Sequence, residues 1–518
     1  MRAVLSLCLT LFIKIALCSH YEDDYNVDSA KQLKSPKFWI ADGQRTLYER
    51  LRTYKNENVA KNIIFFLGDG MGVATVTASR IFEAQIRGKV GERNELSFER
   101  FPHLALSKTY CTDQQVADSA CSATAYLTGV KANYNTIGVT ANVTLNDCAA
   151  ARDPINQLSS IARWAAESGK ATGIVTTTRV THASPAGTYA YTSNRDFESD
   201  ADVKKKNLDP AKCEDIASQL VGYGSMNVIL GGGSSKFLPT CAKDGMGNSG
   251  ERLDGRNLIA EWAMRKYGNA KVVYNRTDLL NTNTQYTDNL LGLFSKSHLD
   301  YHLDNNKNEP SLEEMTETAI NILRRNKNGF FLFVEGGKID LAHHLTMAAK
   351  ALDETVEFHK AIKKAETLLY SDDTLIIVTA DHSHTMTISG DSKIDNGILA
   401  PATQNSDVDK QPYTSLSYAN GPVASDFTEV KGNKVQRVDI TKLKNFGKAN
   451  FQYPHCVPLS EESHSGTDVA IYAKGPWSHL FSGVMEQSAI PILMAYAACI
   501  GPGIHACSSS ASSYASYE

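Results

Sequence analysis

Asn62-Ile-Ile-Phe-Phe-Leu-Gly68-Asp69-Gly70 is the stretch whose reading decides the fold. Its apolar run, 62–67, shows no polar alternation, so a strand there must be buried on both faces, and Gly-Asp-Gly ends it. Runs of the same kind recur at 173–177, 227–230, 330–334, 374–378 and 468–473. Helical patterns lie between them, notably at 312–327 and 346–369, and an earlier one at 36–52 spaces Phe38, Trp39, Leu47 and Leu51 as a helix would. Doubly buried strands separated by helices predict an α/β fold, with a large central, mostly parallel sheet and helices on both faces. The region 390–459 departs from the pattern: it is rich in Gly, Asn, Asp, Ser and Pro and reads as a small inserted domain or loop set. The main core is then 19–389 together with 460–507.

The chain has 518 residues, 42% of them hydrophobic and 21% charged, enough for a sizeable core. A net charge of −4 gives no reason to expect nucleic-acid or membrane-surface binding. Arg2 precedes an apolar run over 3–17, and the small residues Ala16 and Cys18 suit cleavage, so 1–18 reads as a signal peptide and the chain as secreted. The end, 508–518, is Ser- and Tyr-rich and polar, which predicts a flexible tail and no lipid or membrane anchor. Export leaves eight cysteines: Cys111, Cys121, Cys148, Cys213, Cys241, Cys456, Cys499 and Cys507. Their even number suggests disulfides, although spacing does not give the pairing. Asn142-Val-Thr144 and Asn275-Arg-Thr277 are glycosylation acceptors by pattern.

Ligands of open α/β sheets bind beyond the carboxyl ends of the strands. Asp69, Glu335 and the pair Asp381-His382 fall at such ends, and His182 and Ser184 follow a fourth strand. Each alone is weak, since a lone Asp between glycines is usually a turn residue; four chemistry-bearing strand ends are harder to dismiss. Asp340 and His344 stand four apart, so one helical turn puts them on one face, either as ligands of a common ion or as a hydrogen-bonded pair. His343 points elsewhere and is not read as a ligand. Asp118-Ser119 opens an alanine-rich helical run that Gly129 ends. Seen locally this is ordinary N-capping; a nucleophilic serine needs metal ligands to converge on it. No Gly-x-Ser-x-Gly elbow is present, so acyl transfer is not suggested.

Taken together, these residues resemble the alkaline phosphatase family, in its animal secreted or cell-surface branch. The likeness runs from about 36 to 507. It is carried by the 62–72 stretch, Asp118-Ser119-Ala-Cys-Ser-Ala-Thr-Ala-Tyr126, Val175-Thr-Thr-Thr-Arg-Val-Thr-His182-Ala-Ser184-Pro185, Phe331-Leu-Phe-Val-Glu335-Gly-Gly and Thr379-Ala-Asp381-His382-Ser-His384. The resemblance implies hydrolysis of phosphate monoesters through a phosphoserine on Ser119, with an alkaline optimum, two zinc ions and one magnesium ion. One zinc would take Asp340, His344 and His464, and the other Asp69, Asp381, His382 and the Ser119 oxygen. Magnesium would take Asp69, Ser184 and Glu335, with His182 just outside it. Arg195, in Asn-Arg-Asp, matches the phosphate-clamping arginine, and Asp118 stands beside the nucleophile. Imidazole and carboxylate suit zinc, all-oxygen ligands suit magnesium, and arginine grips phosphate with two parallel bonds.

By position, Cys148–Cys213 and Cys499–Cys507 match the family's disulfides, leaving Cys111–Cys121 and Cys241–Cys456 as further candidate pairs. Cys121 reads as packing rather than chemistry. The 390–459 insertion corresponds to the family's crown and the 36–52 helix to an arm that embraces a partner subunit, so a homodimer is implied. Two positions depart from the pattern. Leu341 stands where a His or Lys commonly follows the zinc-binding aspartate, and Ser295 follows Phe294 where vertebrate members place a calcium-binding Glu, so calcium is not expected. The rival readings are a sister enzyme acting on diesters or sulfate esters and a silent scaffold; Arg195 with the full ligand set argues against both.

Overall fold

The computed structural model describes residues 32–422, 427–443 and 445–508; the stretch read as a signal peptide, 1–18, and nearly all of the 508–518 tail lie outside these residues. The strands in chain order are β1 (Asn62–Gly68), β2 (His103–Lys108), β3 (Ala171–Arg179), β4 (Val228–Gly232), β5 (Ala270–Val273), β6 (Asn289–Leu293), β7 (Phe330–Gly336) and β8 (Thr374–Thr379). The short strands β9 (Ser383–His384), β10 (Thr387–Ile388), β11 (Leu416–Pro422), β12 (Thr428–Lys431), β13 (Lys434–Arg437), β14 (His455–Leu459) and β15 (His464–Ser465) follow, then β16 (Val469–Lys474) and β17 (Gly483–Glu486). Ten of them form one sheet in the order β17-β2-β16-β8-β1-β7-β3-β4-β6-β5.

Every residue of β1 is buried, as its uninterrupted apolar run requires. The side chains alternate between two cores: Ile63, Phe65 and Leu67 enter one, Ile64 and Phe66 the other. Helices Ser119–Thr128, Ile216–Tyr223 and Ala489–Ala498 supply the first core, and Leu312–Leu323 and Ala348–Leu368 the second. The sheet is thus covered on both faces, as the sequence predicts. The insertion is tied into the body rather than set apart: Leu416, Tyr418, Phe451 and Tyr453 share a third core with Phe82, Leu352 and Val356. Its small sheet, β10-β11-β14, begins at Thr387, slightly before the composition changes.

Parallel pairing runs from β8 through β1, β7, β3, β4 and β6 to β5, but β16 is antiparallel to both β8 and β2. The chain leaves β8 at the carboxyl edge, builds the insertion there, and re-enters from that same edge, so β16 must run downward. His464, just ahead of β16, is thereby delivered to the edge where the other sites converge, and β15 pairs it with His384.

Three disulfides form: Cys111–Cys121, Cys148–Cys213 and Cys499–Cys507. The pair Cys241–Cys456 does not form, which corrects that expectation. Cys241 lies in a loop beyond β4 and Cys456 in β14 of the insertion, and both thiols are free and exposed.

Phe66 is fully buried and meets Phe358 edge to face at a centroid distance of 5.9 Å. Phe66→Ala should cost about 3–5 kcal/mol of stability, read as a lower midpoint of thermal unfolding, with monoester turnover at room temperature retained in the molecules that remain folded.

Candidate active site

The helix Ser119–Thr128 starts at a cap provided by Asp118, whose carboxylate accepts from Ala120 N at 3.0 Å and Cys121 N at 3.2 Å. It ends at Gly129, with φ 84°, a left-handed conformation glycine adopts without Cβ strain. The capping that the Asp-Ser pair suggests is therefore done by Asp118, and the Ser119 hydroxyl is left for something else. Ser119 Oγ lies 3.3 Å from His382 Nε2 and 3.5 Å from Asp69 Oδ1, fully inside the protein. The disulfide from Cys121 to Cys111 ties the first turn of this helix to the loop that precedes it.

Around this hydroxyl the strand ends converge. His382 Nε2 is 3.1 Å from Asp381 Oδ2 and 3.7 Å from Asp69 Oδ1. Asp340 Oδ2 is 3.3 Å from His344 Nε2, and Asp340 Oδ1 is 3.3 Å from His464 Nε2. The two imidazole nitrogens of His344 and His464 approach to 3.1 Å, and the His464 ring stacks on His382 at 3.6 Å. Two clusters of ligand atoms result, Asp340-His344-His464 and Asp69-Asp381-His382 with Ser119, sharing the stacked histidines as a wall. A third cluster joins Asp69, His182 and Glu335. Ser184 is wholly buried nearby, and Glu335 Oε2 accepts from Thr176 and, at 2.9 Å, from Thr178.

Several buried polar atoms here have no hydrogen-bond partner: Asp69 Oδ2, Asp381 Oδ2, His382 Nδ1, Glu335 Oε1, Ser184 Oγ and His182 Nδ1. Orphaned polar atoms at such density are costly unless a cation satisfies them, so the residues fit bound metal. Titration agrees. Burial, with the neighbouring charges of Asp381, Asp340 and Glu335, pushes Asp69 well above the carboxylate range. Burial moves Glu335 from 4.5 to about 7 against the hydroxyls that hold it. For Asp340, burial is outweighed by His344, His384 and His464, which hold its carboxyl low. Burial and His382 drop His464 to about 4, leaving it neutral, the form that binds metal.

On the open side, Arg195 donates from Nη1 to Asp118 Oδ2 at 2.9 Å and places Nη2 3.1 Å from His182 Nε2. One edge of the guanidinium is thereby fixed and the remaining donors are free to meet an oxyanion. His343 turns away from the site, as expected: its two nitrogens meet Tyr418 Oη at 2.9 Å and Thr75 Oγ1 at 3.0 Å.

Two functional residues went unassigned in the sequence reading. His384 places Nε2 2.7 Å from Asp340 Oδ1 and pairs through Nδ1 with Glu462. Burial opposes its charge, yet Glu462 and Asp340 hold it protonated, at about 10. With both nitrogens engaged, His384 orients Asp340. Glu462 also accepts from Thr385 N at 2.7 Å, and its carbonyl lies 2.5 Å from His344 Nδ1, so it braces two histidines at once. His384 carried a faint signal, two residues after His382; Glu462 carried none.

The alkaline phosphatase family model matches residues 60–500. The membrane-bound alkaline phosphatase of Bombyx mori is 47% identical over 485 residues, 92% of this chain and 87% of that protein. The tissue-nonspecific isozyme of alkaline phosphatase from Homo sapiens is 45% identical over 489 residues, 92% of this chain and 91% of that one. The solved alkaline phosphatase of Thermus thermophilus shares the fold, with a TM-score of 0.59 at 24% identity, covering 85% of this chain and 92% of its own. The chain belongs to the alkaline phosphatase family. It is a phosphoric monoester hydrolase, and its family is metal-dependent.

The Glu335 shift has a stability consequence. A carboxyl whose proton is held more tightly folded than unfolded stabilises the folded chain below about pH 4.5, and that contribution is lost as pH rises through about 7. In chelated protein the unfolding midpoint should fall across this window. Glu335→Gln should flatten the fall, and added magnesium should protect the wild type at pH 8 more than the variant.

Proposed function

We propose that this chain cleaves phosphate monoesters by attack of Ser119 Oγ on phosphorus, forming a phosphoseryl intermediate that water then hydrolyses. The observation that carries the proposal is Ser119 at the first position of a helix capped by its neighbour, facing two buried clusters of metal-type ligands. Asp340, His344 and His464 would hold one zinc ion, Asp69, Asp381 and His382 with Ser119 a second, and Asp69, Ser184 and Glu335 a magnesium ion beside His182. When bound, these ions supply Lewis-acid charge that lowers the pKa of the serine and of water and stabilises the entering and leaving oxygens. The protein's own contribution is positional. Asp118 fixes both the helix start and Arg195, so nucleophile and phosphate clamp are registered by one carboxylate. Arg195 offers planar paired donors to the non-bridging oxygens, where charge must be held during transfer.

Other readings extend from the family. The helix Pro36–Leu51 has no buried residue and exposes Trp39, Ile40, Leu47 and Leu51, which suits an arm laid on a second copy in a homodimer. Three disulfides suit export behind the apolar leader, and residues 387–459 suit the role of a crown. Asn142 is exposed for glycosylation, whereas the amide of Asn275 already donates to Asp278 at 2.7 Å within a helix cap.

Hydrolysis of a chromogenic monoester should disappear on chelation, return with zinc plus magnesium, and be lost in Ser119→Ala with the fold intact. Arg195→Lys should lower kcat/KM by about 10–100-fold. Leu341→His, adding a basic group beside Asp340, should lower the inhibition constant of inorganic phosphate.

A further inference from the structure

A cavity of about 360 Å³ lies against the Cys148–Cys213 disulfide, bounded by Arg152, Arg163, Tyr191, Lys212, Glu214 and Tyr223. The electrostatics of its wall are unbalanced. Arg163 has no carboxylate partner among the described residues: it donates from Nη2 to the Tyr189 carbonyl at 2.8 Å and lies over two rings, 4.8 Å from the centre of Tyr191 and 4.3 Å from that of Tyr223. Apart from these contacts and a hydrogen bond with the Tyr191 side chain, it has no polar partner among the described residues. Arg152 makes one long bond, 3.4 Å to the Ala211 carbonyl, and Lys212 makes no side-chain bond or ion pair among the described residues. The Tyr223 hydroxyl is buried without a hydrogen-bond partner. Glu214 is the one acid on the wall, and it forms no ion pair either.

Several buried or half-buried cations elsewhere are paired: Arg179 with Glu198, Arg252 with Asp215, Lys236 with Asp202 and Glu251. Around this cavity the half-buried Arg163 and the exposed Arg152 and Lys212 have no carboxylate partner among the described residues, which leaves its wall receptive to an anion. The guanidinium lies within cation–π range of both rings, and its planar donors suit the two oxygens of a carboxylate, sulfate or phosphate. The volume admits a molecule of ten or more heavy atoms rather than a single inorganic ion.

We propose that this cavity is a second, non-catalytic site that binds a small polyvalent oxyanion, with Arg163 as the central anchor and Arg152 and Lys212 as flanking charges. Ser193 also lines it, and the chain runs from there directly to Arg195, so the site backs onto the loop that carries the phosphate clamp. The proposal does not depend on the assignment of Ser119.

The test is calorimetric titration of the metal-loaded enzyme with benzene-1,3-disulfonate, which offers no ester to hydrolyse. Benzene-1,3-dicarboxylate tests a carboxylate source, and benzene-1,3-dimethanol is the uncharged control. One disulfonate or dicarboxylate should bind per chain, more weakly at higher salt, and the diol should not bind. The double variant Arg152→Gln/Lys212→Gln, which removes surface side chains with few contacts, should weaken binding about tenfold while monoester turnover is unchanged. Glu214→Gln should tighten it, and Arg195→Ala should leave it as it is. The proposal is overturned if neither dianion binds, if the diol binds equally well, if Arg195→Ala abolishes binding, or if the double variant and Glu214→Gln have no effect.

Discussion

Asp69, Glu335, Asp340 and Asp381 are four carboxylates wholly or nearly buried at the carboxyl edge of one sheet. Taking that much negative charge out of water is affordable only if positive charge is brought in with it. The protein supplies part of it at Asp340, against which His384 stays protonated, but Arg195 is paired with Asp118, and burial drives His464 and His182 to the neutral form. What remains is a set of inward-facing oxygens and nitrogens that fit bound cations. The rest of the architecture can be understood as the means of holding these groups together against that repulsion.

The central sheet does most of the holding. Asp69, Glu335 and Asp381 sit at or just past the ends of β1, β7 and β8, three adjacent parallel strands whose register is locked by side chains buried on both faces. A one-residue slip in any of them would turn its ligand away from the site and move its apolar residues to the wrong core. The antiparallel β16 adds what parallel strands alone could not, a ligand that enters from above. Because the chain descends from the insertion, His464 arrives next to Asp340 and His344 without a long crossover, and Glu462 arrives with it as a brace.

Economy of the same kind appears at the nucleophile. Asp118 caps a helix, receives Asn135 N at 3.0 Å and pairs with Arg195, so a single side chain fixes the helix start, a neighbouring loop and the proposed phosphate clamp. Gly70 allows another close approach: its φ is 67°, and a Cβ there would collide with the His384 ring that orients Asp340. The turn after β1 and the brace behind the metal ligands are thus one fitted unit.

The sequence by itself located six of the ten strands of the main sheet, because an apolar run without alternation suits a strand covered on both faces and a polar residue directly after it falls at the sheet's edge; β2, β5, β6 and β17 carried no such run. It also located the helix behind Ser119, since an Asp start and a Gly stop are local signals. The direction of β16, the bracing by His384 and Glu462, the unpaired Cys241 and Cys456, and the cation-lined cavity were decided only by tertiary structure. Each depends on segments far apart in the chain: residues 384 and 462 meet across the whole insertion, and Arg163 finds its rings at 191 and 223. No local propensity encodes such meetings; they exist only once the sheet has fixed where each chain segment re-enters.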